Sequence, residues 1–149
     1  MMTKMNVKKL GMMALLGLLI VPSVLVSGCI GQGVSNLETQ IIEDVNLEEA
    51  FALMEDNRSN QNFVIIDVRT PEEYANGHIE KAINLDFYSE TFKDELDKLD
   101  RDKVYLIYCR SGNRSGQALN MMAELGFSEV YNMLGGMARW EEVGLPTVK

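Results

Sequence analysis

The sequence predicts an α/β domain in which a parallel central sheet is covered by helices on both faces. Short apolar runs of strand length alternate along the chain with longer segments whose apolar residues recur at helical spacing. Strands that are separated by helices pair in parallel, and the connecting helices then cover both faces of the sheet. The chain has 149 residues, a length that suits one domain of ordinary size with a short additional segment.

The first half of the domain contains two helix starts and two strands. Asn46, with a glutamate three residues later, is typical of a helix N-cap, and this helix is predicted to run to about residue 56. Residues 63–66 form a continuous apolar run, as in a buried strand. Thr70, followed by a proline and two glutamates, begins a second helix. Residues 82–85 form a short predicted strand.

The second half repeats the alternation. Residues 104–108, with the sequence VYLIY, form the clearest strand because every side chain is apolar or aromatic. Gly126 ends the helix that follows this strand, since glycine commonly stands just past a helix C-terminus. The other predicted elements are helices at residues 92–99, 115–125 and 137–142 and a strand at residues 130–133. In such sheets, chemistry is located beyond the carboxyl ends of the strands.

Residues 1–28 have the features of an export signal. Lys4, Lys8 and Lys9 form a basic start, and residues 10–26 are apolar and carry no charge. This run lies at the low edge of the roughly 17–25 residues that a membrane-spanning helix needs. We therefore interpret it as a secretory signal peptide.

Residues 26–29, with the sequence VSGC, resemble a lipoprotein signal box. The resemblance implies that Cys29 becomes the lipid-bearing first residue of the mature chain. Residues 29–40 then form a flexible tether, and residues 41–149 form the folded domain. We expect a lipid-anchored domain on the outer face of the cell membrane or in the periplasm. An uncleaved anchor helix with an incidental Cys29 is the alternative, and it also places the domain outside the cytoplasm.

Composition excludes several classes of protein. The net charge is −8, although residues 1–28 carry only basic charges, so the remainder is strongly acidic. This balance argues against nucleic acid as a partner, because phosphate binding needs a basic surface. Two cysteines are too few for a disulfide scaffold. One histidine without a cysteine cluster supplies too few ligands for zinc, so we expect neither a metal nor another cofactor.

The segment at residues 109–115, with the sequence CRSGNRS, is the strongest candidate for a reactive site. It leaves the clearest strand and enters the N-terminus of a helix, where backbone N–H groups and the helix end stabilise an anion. Cys109 stands at the start of this loop, so its thiolate is the natural anion. Arg110 and Arg114 add positive charge nearby. We therefore expect a lowered pKa and a nucleophilic Cys109, rather than an ordinary buried thiol.

Three blocks of the sequence resemble the rhodanese (sulfurtransferase) family: DVRTPEEY at residues 67–74 with GHI at 77–79, CRSGNRS at 109–115, and GGMARW at 135–140. The resemblance implies a rhodanese-like three-layer fold. It implies that Cys109 takes a sulfane sulfur from a small anionic donor such as thiosulfate, holds it as a persulfide and passes it to a thiol or cyanide-like acceptor. The implied donor-binding residues are Arg110, Ser111, Gly112, Asn113, Arg114 and Ser115.

Loop length distinguishes a sulfurtransferase from a phosphatase of the same fold. Phosphatases that share the fold have a loop one residue longer, whereas here four residues separate Cys109 from Arg114. The tighter ring suits a single sulfur atom better than a phosphoryl group. Phosphatase or arsenate-reductase activity is therefore the less favoured enzyme hypothesis. A persulfide carrier or redox-sensing binding module that uses Cys109 without turning over a free substrate stays open as a second class.

The remaining polar residues of these blocks are interpreted as structural. Asp67, Arg69 and Glu73 follow a strand on the side of the sheet where the reactive loop lies, and we expect them to brace the neighbouring loops. Arg69 could alternatively touch substrate. His78 could act as a general base, but its position at a turn favours a structural hydrogen bond.

Overall fold

The computed structural model describes residues 39–149, which form a five-stranded parallel sheet between two layers of helices. The strand order is β1-β5-β4-β2-β3, which places β4 at the centre of the sheet. The strands are β1 (Ile41–Val45), β2 (Phe63–Asp67), β3 (Ile83–Asn84), β4 (Val104–Tyr108) and β5 (Glu129–Met133). The helices are α1 (Leu47–Asp56), α2 (Pro71–Asn76), α3 (Phe92–Asp97), α4 (Asn113–Glu124) and α5 (Gly136–Glu142). The α/β fold class with a parallel sheet is confirmed.

Two apolar cores cover the two faces of the sheet. Alternate side chains of a strand point to opposite faces, so Tyr105 and Ile107 pack with α3 and α4, while Leu106 and Tyr108 pack with α1 and α5. Cys109 continues this alternation and belongs to the α3/α4 core. The sheet therefore delivers Cys109 to its central carboxyl edge, beneath the N-terminus of α4.

Local capping signals set the starts of α1 and α2. The Asn46 side chain accepts a hydrogen bond from the Glu49 N–H at 2.9 Å, and the Glu49 carboxylate accepts one from the Asn46 N–H at 2.8 Å. Thr70 and Glu73 form the same reciprocal pair at the start of α2. Both predicted helix starts are confirmed, because these contacts span only three residues and are visible in the sequence.

The structure corrects several predicted boundaries and adds one strand. β1 was not predicted, because it is an edge strand in which only Val45 is buried, and its pattern gives no clear period. α4 begins at Asn113, two residues before the predicted start, since Gly112 serves as its N-cap. α3 ends at Asp97, two residues earlier than predicted, and β3 has only two residues.

The N-terminal predictions fall mostly outside the described residues. The signal segment, Cys29 and the tether up to residue 38 are among the residues that the structure does not describe. Gln40, placed in the tether by the sequence, donates hydrogen bonds to the carbonyl oxygens of Phe127 at 2.8 Å and Ala123 at 3.1 Å. Within residues 39–149, none of the helices is both long enough and apolar enough to cross a membrane.

Candidate active site

Cys109 lies directly after β4, at the bottom of the loop that leads into α4, with 1% of its surface exposed. Its Sγ accepts a hydrogen bond from the Gly112 N–H at 3.2 Å, and the Ser115 hydroxyl lies 3.5 Å from the same sulfur. The chain from residue 109 to residue 115 thus curls around the sulfur. A thiolate at this position would meet hydrogen-bond donors from both the loop and the first turn of α4.

The balance of burial and hydrogen bonding lowers the pKa of Cys109. Burial acts to raise the pKa of the thiol, and it is the largest single influence. The Ser115 hydroxyl and the backbone N–H groups of Ser115, Ser111 and Gly112 oppose it by stabilising the thiolate, and together they outweigh burial. Hydrogen bonds from the loop backbone and from one hydroxyl therefore stabilise the Cys109 thiolate.

The N-terminus of α5 fixes the direction of the loop peptides. The Met137 N–H donates to the Cys109 carbonyl oxygen at 2.8 Å, and the Ala138 N–H donates to the Arg110 carbonyl oxygen at 2.9 Å. In a planar trans peptide, the N–H points opposite to the C=O. Since the Arg110 carbonyl faces α5, the Ser111 N–H of the same peptide faces away from α5, and it is one of the groups whose hydrogen bonds lower the pKa of Cys109.

Gly136 permits this close approach. Its backbone adopts φ +53°, and a Cβ atom added to it would lie 2.3 Å from the Cys109 carbonyl oxygen. Any other residue would push α5 away from the reactive loop. Sequence reasoning used residues 135–140 only as a family signature and missed this role. The signal was present as a glycine pair at the start of a short helix.

Arg114 is held by Glu73 in a two-pronged ion pair. Its Nη1 and Nη2 atoms lie 2.8 and 2.9 Å from the two carboxylate oxygens of Glu73. This pairing with Arg114 lowers the pKa of Glu73 to about 2 and raises the pKa of Arg114. The Tyr88 ring lies over the Arg114 guanidinium, 5.5 Å from the ring centroid to Cζ. Arg114 thus connects α4 to the start of α2 and adds positive charge to the site from this fixed position.

The other predicted donor-binding residues divide into two groups. Gly112 and Ser115 are buried against Cys109, where they contact the sulfur. The Arg110, Ser111 and Asn113 residues are exposed at the mouth of the loop. The Arg110 side chain is therefore open to solvent, while Gly112 and Ser115 lie within hydrogen-bond distance of the sulfur.

Asp67 and Arg69 form a buried pair behind the site. Arg69 Nη2 lies 2.7 Å from Asp67 Oδ2 and also donates to the Gly77 carbonyl oxygen at 2.6 Å. Asn84 donates to the carbonyl oxygens of Asp67 and Arg69 at 2.9 and 2.8 Å. These contacts tie the end of β2 to the loop after α2 and to β3.

His78 makes local contacts. Its Nδ1 lies 3.0 Å from the Tyr74 carbonyl oxygen, and its ring stacks on the Tyr74 ring at 3.6 Å between centroids. Its backbone pairs with Val148 in an antiparallel bridge. These contacts agree with a structural role. Within residues 39–149, no group of three or more His, Cys, Asp or Glu side chains is arranged to hold a metal ion.

The sequence is similar to one protein family and to several of its members. A family model described as "Rhodanese-like domain" matches residues 47–143. A sulfurtransferase of Allochromatium vinosum is 33% identical over 104 residues, which cover 70% of this chain and 95% of that protein. The thiosulfate sulfurtransferase GlpE of Pseudomonas syringae is 36% identical over 93 residues, covering 62% of this chain and 81% of the relative.

A solved structure agrees with these sequence matches. The crystal structure of a rhodanese-related protein from Thermoplasma volcanium superimposes with a TM-score of 0.58 and 32% identity, covering 71% of this chain and 97% of the other. The residues matched by the family model include strands β2 to β5, the Cys109 loop and the start of α5. The chain belongs to the rhodanese-like domain family.

Proposed function

We propose that this protein is a rhodanese-type sulfurtransferase that moves a sulfane sulfur from a donor such as thiosulfate, through a Cys109 persulfide, to a thiophilic acceptor. The observation that carries the proposal is the hydrogen-bonded cradle around Cys109 Sγ, which lowers the pKa of a buried thiol. Sulfurtransferases among the relatives support the same reaction class.

The reaction has two substitution steps at sulfur. The Cys109 thiolate attacks the outer sulfur of thiosulfate, a new S–S bond forms, and sulfite leaves with the electron pair of the broken S–S bond. The terminal persulfide sulfur then carries the negative charge that the cradle N–H groups stabilise. An acceptor thiolate or cyanide attacks that terminal sulfur, and Cys109 leaves as the thiolate, which returns the site to its starting state.

The ion pair of Arg114 favours sulfur transfer over phosphate-ester hydrolysis. Both Nη atoms of Arg114 bind the Glu73 carboxylate, so this ion pair already uses two of the N–H groups that could otherwise bind a phosphoryl oxygen. A phosphoryl group brings three equatorial oxygens that need donors around a wider ring. We infer that the short loop and the Arg114–Glu73 ion pair suit one additional sulfur atom better than a phosphoryl group.

Mass spectrometry after thiosulfate treatment tests the first step. The purified protein should gain the mass of one sulfur atom on the Cys109 peptide and lose it again with cyanide or a thiol. Cys109→Ser should show no adduct on that peptide. An adduct that persists in Cys109→Ser, or no adduct in the natural protein, would contradict the proposal.

A comparison of kcat/KM values tests the alternative activities. The natural protein should use thiosulfate with cyanide and be a poor catalyst with an aryl phosphate. Inserting one glycine between Gly112 and Asn113 should lower sulfur transfer, since the N–H groups then stand too far from the sulfur. Preference of the natural protein for the aryl phosphate would assign a phosphatase. Persulfide formation without turnover would instead assign a sulfur carrier or redox-sensing module.

We also propose that the domain is exported and held at a membrane by lipid on Cys29. The basic start, the apolar run of residues 10–26 and the VSGC sequence at residues 26–29 support this proposal. Residues 1–28 would be removed, and residues 29–40 would link the lipid to the domain. Cys29→Ala should abolish metabolic lipid labelling and block processing. Labelling that persists in Cys29→Ala would refute lipid attachment at this residue, and a natural protein that keeps Met1 would support the uncleaved anchor.

A further inference from the structure

Asn132 is a buried polar residue near the carboxyl end of β5, and its amide nitrogen reaches towards the reactive loop. Only 1% of the surface of Asn132 is exposed to solvent. Its Nδ2 lies 2.7 Å from Asp44 Oδ1 on the neighbouring strand β1 and 3.4 Å from the Gly112 carbonyl oxygen. Its Oδ1 has no hydrogen-bond partner among residues 39–149.

The two neighbours determine how the amide is oriented. Both Asp44 Oδ1 and the Gly112 carbonyl oxygen accept hydrogen bonds and donate none. Turning the amide over would bring Oδ1 against a carboxylate and a carbonyl. Asn132 therefore faces the loop as a donor, although this leaves its own oxygen unpaired in the interior.

The Gly112 carbonyl oxygen is a point where three donors meet. The Gly116 N–H lies 2.8 Å away, the Ser115 hydroxyl 3.2 Å and Asn132 Nδ2 3.4 Å. A carbonyl oxygen has two lone pairs, so Gly116 and Asn132 are sufficient to occupy it. Their presence leaves the single Ser115 proton available for another acceptor.

The Cys109 sulfur is that other acceptor, 3.5 Å from Ser115 Oγ. A serine hydroxyl carries one proton and rotates to suit its surroundings, so it donates either to the Gly112 carbonyl or to the sulfur. When Asn132 donates to the Gly112 carbonyl oxygen, the Ser115 hydroxyl is favoured to donate to the sulfur instead.

We propose that Asn132, held by Asp44, is a positioning residue that keeps the Ser115 hydroxyl aimed at the Cys109 sulfur. The inference deepens the proposed function and rests on it for the use of the thiolate. Neither Asn132 nor Asp44 belongs to the reactive loop, and sequence reasoning assigned no role to either residue.

The test is the pH dependence of Cys109 alkylation by iodoacetamide in the full-length protein. Mass spectrometry of the Cys109 peptide gives the rate without interference from Cys29. Asn132→Leu should reduce the thiolate fraction below the pKa by about 3- to 10-fold, the effect of losing one hydrogen bond. Asp44→Ala should change the profile in the same direction by a smaller factor, because the amide loses its anchor. Tyr131→Phe, on the same strand, removes a contact with Glu129 and should leave the profile unchanged.

The double variant separates the proposed route from a general disturbance. In a Ser115→Ala background, Asn132→Leu should add no further change, because the hydroxyl through which it acts is gone. Equal effects of Asn132→Leu with and without Ser115 would overturn the proposal, as would an unchanged profile in Asn132→Leu. If Asn132→Leu does not fold, an unchanged profile in surface-exposed Asp44→Ala overturns it. If the profiles shift as expected while thiosulfate adds no sulfur to Cys109, the proposed function fails and the positioning role stands.

Discussion

Replacing Gly136 with alanine would place a methyl group against the backbone of the reactive loop. The added Cβ would lie 2.3 Å from the Cys109 carbonyl oxygen and 2.9 Å from both the carbon and the oxygen of the Arg110 carbonyl. These neighbours are backbone atoms at the end of the central strand, so they cannot turn aside as a flexible side chain would. Either α5 or the loop must move, and the hydrogen bonds that join them must lengthen.

The expected loss of stability has two parts. Alanine at φ +53° is destabilised by about 1–2 kcal/mol relative to glycine, because its Cβ crowds the following carbonyl oxygen. Overpacking against the rigid loop adds about 1–3 kcal/mol. We therefore expect Gly136→Ala to lower the free energy of unfolding by about 2–5 kcal/mol. The same displacement should raise the pKa of Cys109, since the Ser111 N–H would no longer be aimed at the sulfur.

Gly144→Ala is a matched control near the other end of α5. Gly144 has φ +75°, and an added Cβ would meet no atom within 4 Å. This variant should lose only the conformational part, about 1–2 kcal/mol, and should keep the pKa of Cys109. Urea unfolding of both variants and their alkylation profiles against pH measure the two effects. Equal destabilisation by the two substitutions would refute the argument that the close contact between α5 and the loop constrains the site.

Two further predictions concern charge and hydrogen bonding at the site. Because pairing with Arg114 lowers the pKa of Glu73 from 4.5 to about 2, its stabilisation is complete above pH 4.5 and disappears as the pH falls towards 2. Partial exposure reduces this contribution to about 1–2 kcal/mol, so urea unfolding of Glu73→Gln should show that loss at pH 6 and almost none at pH 2. Ser115→Ala should raise the pKa of Cys109, measured by alkylation, more than Arg110→Ala does, because the Arg110 charge is exposed and screened by salt. A larger rise of the Cys109 pKa in Arg110→Ala than in Ser115→Ala would show that the arginine charge stabilises the thiolate more than the hydroxyl does.

Features with short-range causes could be predicted from the sequence. Asn46 and Thr70 begin their helices through contacts with residues three positions away, so both starts are readable. The apolar run of β4 is explained by its central place in the sheet, where both faces are covered. Cys109 was identified because a strand, a glycine-containing turn and a helix start follow one another directly in the chain.

Features that depend on distant partners could not be read in the same way. The pairing of Glu73 with Arg114 joins residues 41 positions apart, so the sequence indicated two separate roles instead of one ion pair. β1 pairs with β5 across almost the whole domain, and the exposed side chains of an edge strand leave little pattern. No sequence pattern indicated a role for Asn132, because its contacts form only when β1, β5 and the reactive loop come together in the fold.

The attachment of the reactive loop to α5 has a consequence for the newly made chain. The Cys109 and Arg110 carbonyls receive their hydrogen bonds from Met137 and Ala138 of α5, which follow them in the chain by 28 residues each. Synthesis proceeds from the N-terminus, so Cys109 leaves the ribosome well before the residues that orient its loop. Until α5 docks, the loop lacks the two hydrogen bonds that fix the direction of its first peptides. We therefore expect the full set of donors around Cys109 to form only after α5 has been made and has docked on the loop.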